Sequence, residues 1–219
     1  MSGIAVYLLG APRIERDGEP VKLDRRKALA LLAYLAVTAE THQRDLLVNL
    51  LWPEADAARG RAALRRTLYA VRQAIGDAWL VAGREEIGLV LGTRPTEDPG
   101  QALWVDVDHF RRYLAECGTH GHSIKEVCSA CVAPLTEAVA LVRGNFLSGF
   151  SLKDSLTFDD WQLFQTEALR RELADALRRL VRWHAAQRDL EQALDYAGRW
   201  LALDPLDEAA HRQLMRLYA

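Results

Sequence analysis

The stretch from about residue 55 to 75 constrains the fold most. Leu64, Leu68, Val71 and Ile75 recur at spacings of four, three and four, which is one apolar stripe along a helix. At about 100° per residue, Arg59, Ala62, Arg66, Tyr69 and Gln73 fall on the opposite face. Arg61, Arg65 and Arg72 line one flank, and Gly76 supplies a stop. Such a helix packs by a narrow side and leaves a cationic, hydrogen-bonding face to solvent. Arginine neutralises phosphate and forks onto guanine, and glutamine pairs with adenine in the same two-pronged way. On a lone helix that face would be an ordinary solvated surface, so the neighbouring segments decide its meaning.

Those segments follow one order. Residues 4–23 read as strands, with Asp17-Gly18 as a hairpin turn. Asp24 stands at the N-cap position of a first helix over 25–37, which opens with the basic run Arg25-Arg26-Lys27. A second helix over 43–51 is stopped by Pro53. After the arginine-rich helix, residues 79–91 read as a β-hairpin with Arg84 near its tip. Strands, three helices and a hairpin are the layout of a winged helix, in which the third helix enters the major groove and the hairpin lies on the backbone. The expected fold is therefore an α+β winged helix over 1–95. The expected DNA-contacting residues are Arg25, Arg26, Lys27, Arg59, Arg61, Arg65, Arg66, Tyr69, Gln73 and Arg84.

Charge supports the division. Residues 1–95 hold 14 Lys+Arg against 11 Asp+Glu, a net of +3, whereas the remainder nets −5. The excess is small, which predicts weak binding to non-specific DNA. The apolar run 28–37 is too short to span a bilayer, and no basic leader precedes the first apolar run. A cytoplasmic protein with no membrane partner is the expectation. No phosphate-binding loop, nucleophile elbow or zinc-protease motif is present, so no enzyme is expected.

Residues 93–101 are rich in proline and glycine and read as a linker. Beyond them the pattern is helical, with helices expected near 106–116, 132–143, 158–184, 189–203 and 207–219. This second domain, 96–219, reads as an all-α, tetratricopeptide-like domain. A 34-residue unit starting at Ala174 places Leu177, Leu180, Ala193, Ala197 and Pro205 on the usual small, apolar and proline positions. A second unit would begin at Glu208, and the chain ends inside it. That predicts an N-terminal piece of a longer protein, or a partner over the end. His184 falls at an aromatic position of the repeat. Trp161, Phe164, Trp183 and Trp200 sit at helical spacing and are expected in the core. Asp159-Asp160 reads as a helix N-terminal pair.

An insert at 117–131 gathers all three cysteines, as Cys117, His120, His122, Cys128 and Cys131. The two Cys/His pairs at x2 spacing suit a tetrahedral structural zinc, with the three cysteines and one histidine as ligands. Reduced, unligated cysteines or a redox pair are the other readings.

The chain also resembles a known family. Leu8-Leu9-Gly10-Ala11-Pro12, the stretch from Arg26 to Ala36, Leu51-Trp52-Pro53 and Ala63-Leu64-Arg65-Arg66-Thr67-Leu68 look like the Streptomyces antibiotic regulatory protein family. That family joins an OmpR/PhoB-type winged helix to a bacterial transcriptional activator domain. Trp104-Val105-Asp106-Val107-Asp108-His109-Phe110 resembles the activator domain's opening. Residues 142–150 resemble its internal motif, with Val142 and Asn145 where the family usually has Tyr and Asp. The resemblance implies binding of promoter direct repeats, contact with RNA polymerase, self-association on DNA, and large relatives that continue into an ATPase. The alternative is a scaffold module of such an ATPase, in which the winged helix does not bind DNA.

Overall fold

The computed structural model describes residues 3–93, 102–121 and 126–219. Most of the expected linker, and His122 of the insert, lie outside the described residues. The chain forms two compact units, residues 1–108 with 144–165, and residues 109–143 with 166–219. Position 95 thus lies inside the first unit, and 144–165 returns to it.

The first unit opens with strands β1 (Ile4–Tyr7), β2 (Arg13–Arg16) and β3 (Glu19–Pro20). Helix α1 (Arg26–Thr38), strand β4 (His42–Gln43) and helices α2 (Arg44–Leu51) and α3 (Ala57–Ile75) follow. Then come β5 (Leu80–Ala82), β6 (Glu86–Leu89), β7 (Gly92–Thr93) and β8 (Ala102–Val105). One sheet has the order β3-β2-β1-β8-β7 and the other β4-β6-β5. β1 pairs with β2 antiparallel and with β8 parallel, Val6 lying opposite both Ile14 and Val105. The winged helix is as expected. β8 is an addition, because a four-residue strand paired across almost a hundred positions carries no local signal. One cap differs too. Arg25, not Asp24, is the N-cap of α1, and no side chain caps that end.

Asp106 ties this sheet together. It is fully buried, and its carboxylate accepts hydrogen bonds from the backbone N–H of Leu8 (2.8 Å), Leu9 (2.8 Å) and Val107 (2.9 Å). A buried carboxylate is tolerated only with such partners. The segment 144–165 adds a second tie, as Leu147 and Ser148 donate N–H bonds to the carbonyls of Leu8 and Gly10, both at 2.9 Å. Its side chains Phe146, Leu147, Phe150, Leu152 and Phe158 are buried. Ser155 donates its hydroxyl to the Leu50 carbonyl at 2.5 Å, which fixes the loop to the end of α2.

The second unit is helical. α4 (Asp106–Glu116) and α6 (Leu156–Ala186) contain the unit boundaries, and α5 (Ser129–Leu141), α7 (Leu190–Leu203) and α8 (Glu208–Tyr218) complete it. Leu177, Leu180, Ala193 and Ala197, picked out by the repeat pattern, are all buried. Asp189 and Asp207 cap α7 and α8 with their carboxylates. His184 is half-buried against Tyr196, and its Nδ1 lies 2.9 Å from the Asp189 carboxylate. Of the four aromatics expected in the core, Trp200 is buried and Trp161 and Trp183 are half-buried. Phe164 is a correction: it is 72% exposed, since the first half of α6 packs by the side that carries Phe158 and Trp161. Asp159 sits in the first turn of α6 and accepts the Leu152 N–H at 2.8 Å, a structural role. Among the described residues no helix is long and apolar enough to cross a membrane.

Candidate nucleic-acid interface

Helix α3 starts at a conventional cap. Asp56 accepts the Arg59 N–H at 2.9 Å, so the first turn is fixed where Arg59 leaves it. The helix buries Gly60, Leu64, Thr67, Leu68, Val71, Ala74 and Ile75. Gly60 sets how closely it crosses α2, because a Cβ there would stand 2.4 Å from Val48 Cγ1. The opposite side is open. Arg59, Arg65, Arg66, Tyr69 and Gln73 are exposed and Ala62 is half-buried. Tyr69 is 65% exposed, unusual for a large aromatic with no packing role.

The arginines are not equivalent. Arg61 is bound to Asp45 by two hydrogen bonds of 3.0 and 3.1 Å. That bonding holds the Asp45 carboxyl below its usual range and raises Arg61. Arg59 lies 3.3 Å from Asp56, and Arg72 lies 3.2 Å from Asp77. Among the described residues, Arg65, Arg66 and Arg84 make no ion pair.

The wing is the β5–β6 hairpin, closed by a 2.8 Å bond from the Gly83 N–H to the Glu86 carbonyl, with Arg84 exposed at its tip. Arg44, the first residue of α2, is a further cation beside the wing that the sequence pattern does not single out. Its guanidinium donates to the Gly83 carbonyl at 2.9 Å, and its N–H to Glu85 at 2.9 Å, pinning the wing tip to the start of α2. A 480 Å³ cleft between wing and α3 is lined by Arg44, Arg61, Arg65 and Arg84, with Asp45 and Glu85. Only a lone arginine at a helix start marks Arg44 in the sequence.

The basic run at the start of α1 divides. Arg25 is exposed. Arg26 donates to the Ser151 carbonyl at 2.6 Å and stacks over Phe150, 4.9 Å from the ring centre. Lys27 pairs with Asp154 at 2.7 Å beside the Trp52 ring. Two of these three residues therefore hold the 144–165 segment in place.

In the second unit, His120, Cys128 and Cys131 come together. His120 Nδ1 is 3.1 Å from Cys131 Sγ and 3.4 Å from Cys128 Sγ, and the two sulfurs are 3.6 Å apart. All three donor atoms lie within 4.8 Å of one another, so they could hold a metal ion. Burial raises the Cys131 thiol to about 11, and the neighbouring Cys128 and Cys117 thiols add to the rise. Cys117 is buried to one side, its thiol facing the Tyr113 and Cys131 carbonyls at 3.8 Å.

The family model described as bacterial transcriptional activator domain matches residues 105–219. No curated protein matches the chain. Among solved structures, the chain is similar to Mycobacterium tuberculosis EmbR in complex with a low affinity phosphopeptide. The TM-score is 0.70 at 18% identity, over all of this chain and 55% of EmbR. The chain thus spans about half the length of that protein, and the likeness is one of fold.

Proposed function

The chain belongs to the bacterial transcriptional activator domain family, and from that premise we propose that it is a sequence-specific DNA-binding regulator of transcription. α3 enters the major groove, Arg66, Tyr69 and Gln73 meet base edges, and Arg65 and Arg84 meet phosphates. The observation that carries this reading is the exposed face of α3 standing beside a wing whose tip presents Arg84, which makes no ion pair among the described residues. Direct repeats are read by copies lying side by side, and the helical unit recruits RNA polymerase, as the family resemblance implies. Replacing Arg59, Arg66 and Arg84 together by alanine is expected to weaken binding to a cognate duplex at least ~100-fold, at about 1–3 kcal/mol for a base-reading arginine. The salt dependence should also flatten, by about 0.9 in log–log slope for each phosphate that is no longer neutralised. Unchanged affinity and slope, read by fluorescence anisotropy, would refute the reading.

One observation favours a protein-binding role for the helical end. Leu206, Met215 and Tyr218, in and before α8, are exposed apolar side chains. That role becomes the primary one if the arginine triple variant binds DNA as the native chain does.

The metal centre takes a structural zinc, held by His120, Cys128, Cys131 and a fourth donor, Cys117 or His122. Zn–S and Zn–N bonds of about 2.3 and 2.1 Å put tetrahedral S···S and S···N distances at about 3.8 and 3.6 Å, against 3.6 Å between the two sulfurs and 3.4 and 3.1 Å from His120 Nδ1 to them, so the donors must spread slightly to take the ion. The ion joins the turn after α4 to the start of α5, where Cys128 is the N-cap.

A further inference from the structure

The α3 helix has a basic cleft on each flank, and the second is built partly by the returning segment. At about 100° per residue, Arg61 and Arg65 lie on one side of the reading face, and Ala63 and Thr67 on the other. Arg61 and Arg65 line the wing cleft. Ala63, Arg66 and Thr67 form a wall of a separate cleft of 660 Å³, whose other walls are the start of α1 and residues 152–154. All of these residues belong to the first unit.

Within this cleft the cations have two roles. Arg26 and Lys27 are occupied, holding Ser151 and Asp154. Between those two anchored residues Leu152 is buried and its N–H is bound by Asp159, so the backbone carrying Lys153 is fixed on both sides. Lys153 itself is exposed. Among the described residues Lys153, Arg25 and Arg66 make no ion pair. Asp154 is the cleft's acidic residue, and Lys27 neutralises it.

We propose that Arg25 and Lys153 form a clamp for the phosphate backbone of the duplex that α3 reads, in the cleft whose α3 wall carries the base-reading Arg66. The strand it grips is the one opposite to that met by the wing cleft. A major groove about 12 Å wide is filled by a helix about 10–12 Å across, so cations on the two flanks of that helix face two different strands. The inference rests on the DNA-binding reading and adds a phosphate grip supplied from the family's activator region, residues 105–219.

The test uses the full chain and two labelled duplexes of equal length, one recovered by selection and one scrambled, titrated between 50 and 200 mM salt. Lys153→Ala is expected to weaken binding about five-fold on both duplexes and to flatten the salt slope by about 0.9, the signature of one phosphate left without its cation. Lys153→Glu should weaken it further. Arg171→Ala, an exposed cation on α6 outside the cleft, should change neither quantity. If both Lys153 variants bind as the native chain does while the Arg59/Arg66/Arg84 variant is impaired, the clamp is wrong and the DNA reading stands. A loss confined to the selected duplex also overturns it, since gripping a phosphate is blind to sequence. If the native chain binds neither duplex, both inferences fall.

Discussion

A fragment ending at residue 95 is expected not to fold, although it contains every element of a winged helix. It lacks β8, the parallel partner of β1, and it lacks Asp106, whose carboxylate binds the N–H groups of Leu8 and Leu9. It also lacks Phe146, Leu147, Phe150, Leu152 and Phe158, all buried in the first unit. Burying each such side chain contributes about 1.5–3 kcal/mol. Losing five of them removes about as much as the 5–15 kcal/mol by which a whole domain is stable. Circular dichroism should show no cooperative thermal transition, and the amide proton spectrum should be collapsed. A cooperative transition with dispersed amides in that fragment would show that 102–108 and 144–165 are dispensable to the rest of the first unit.

Removal of the proposed zinc is expected to have the second large effect. Structural zinc sites contribute apparent binding free energies of about 10–16 kcal/mol near neutral pH, and part of this is folding free energy. The purified chain should carry one zinc by mass spectrometry under native conditions. Stripping it with a chelator should lower the melting temperature by more than ~6 °C, taking about 3 kcal/mol as a minimum and about 2–4 °C per kcal/mol. Cys128→Ser and Cys131→Ser should each abolish zinc retention. Cys117→Ser identifies the fourth donor, because it removes the metal only if Cys117 is that donor. A chain without bound metal, whose melting temperature ignores the chelator, would return these residues to a reduced thiol cluster.

Helix α3 and the wing are visible in the sequence because their signals are local. The stripe Leu64, Leu68, Val71 and Ile75 is buried, and the face carrying Arg59, Arg66, Tyr69 and Gln73 is open, as helical periodicity requires. Gly83 turns the hairpin where turn chemistry places it. What stays hidden depends on partners far along the chain. Asp106 reads as a helix-start acid, and its buried acceptor role exists only once Leu8 and Leu9 arrive from 98 and 97 positions away. Arg26 and Lys27 read as phosphate-binding cations, yet Arg26 reaches Ser151 across 125 positions and Lys27 reaches Asp154. Phe164 has the spacing of a core residue, but spacing fixes a face and not what covers it. The cysteine spacing indicates a metal centre, and folding brings Cys128, Cys131 and His120 together while leaving Cys117 beside them.

The central claim is that this chain reads a DNA sequence with α3. Its most direct test is selection by the full chain from a pool of random duplexes, followed by sequencing of the bound fraction. A reading helix at α3 predicts enrichment of one short element, often repeated in the same orientation about one helical turn apart, and loss of that enrichment when Arg66 and Gln73 are both alanine. A bound fraction indistinguishable from the input pool, or an enriched element that the double variant selects unchanged, would contradict it.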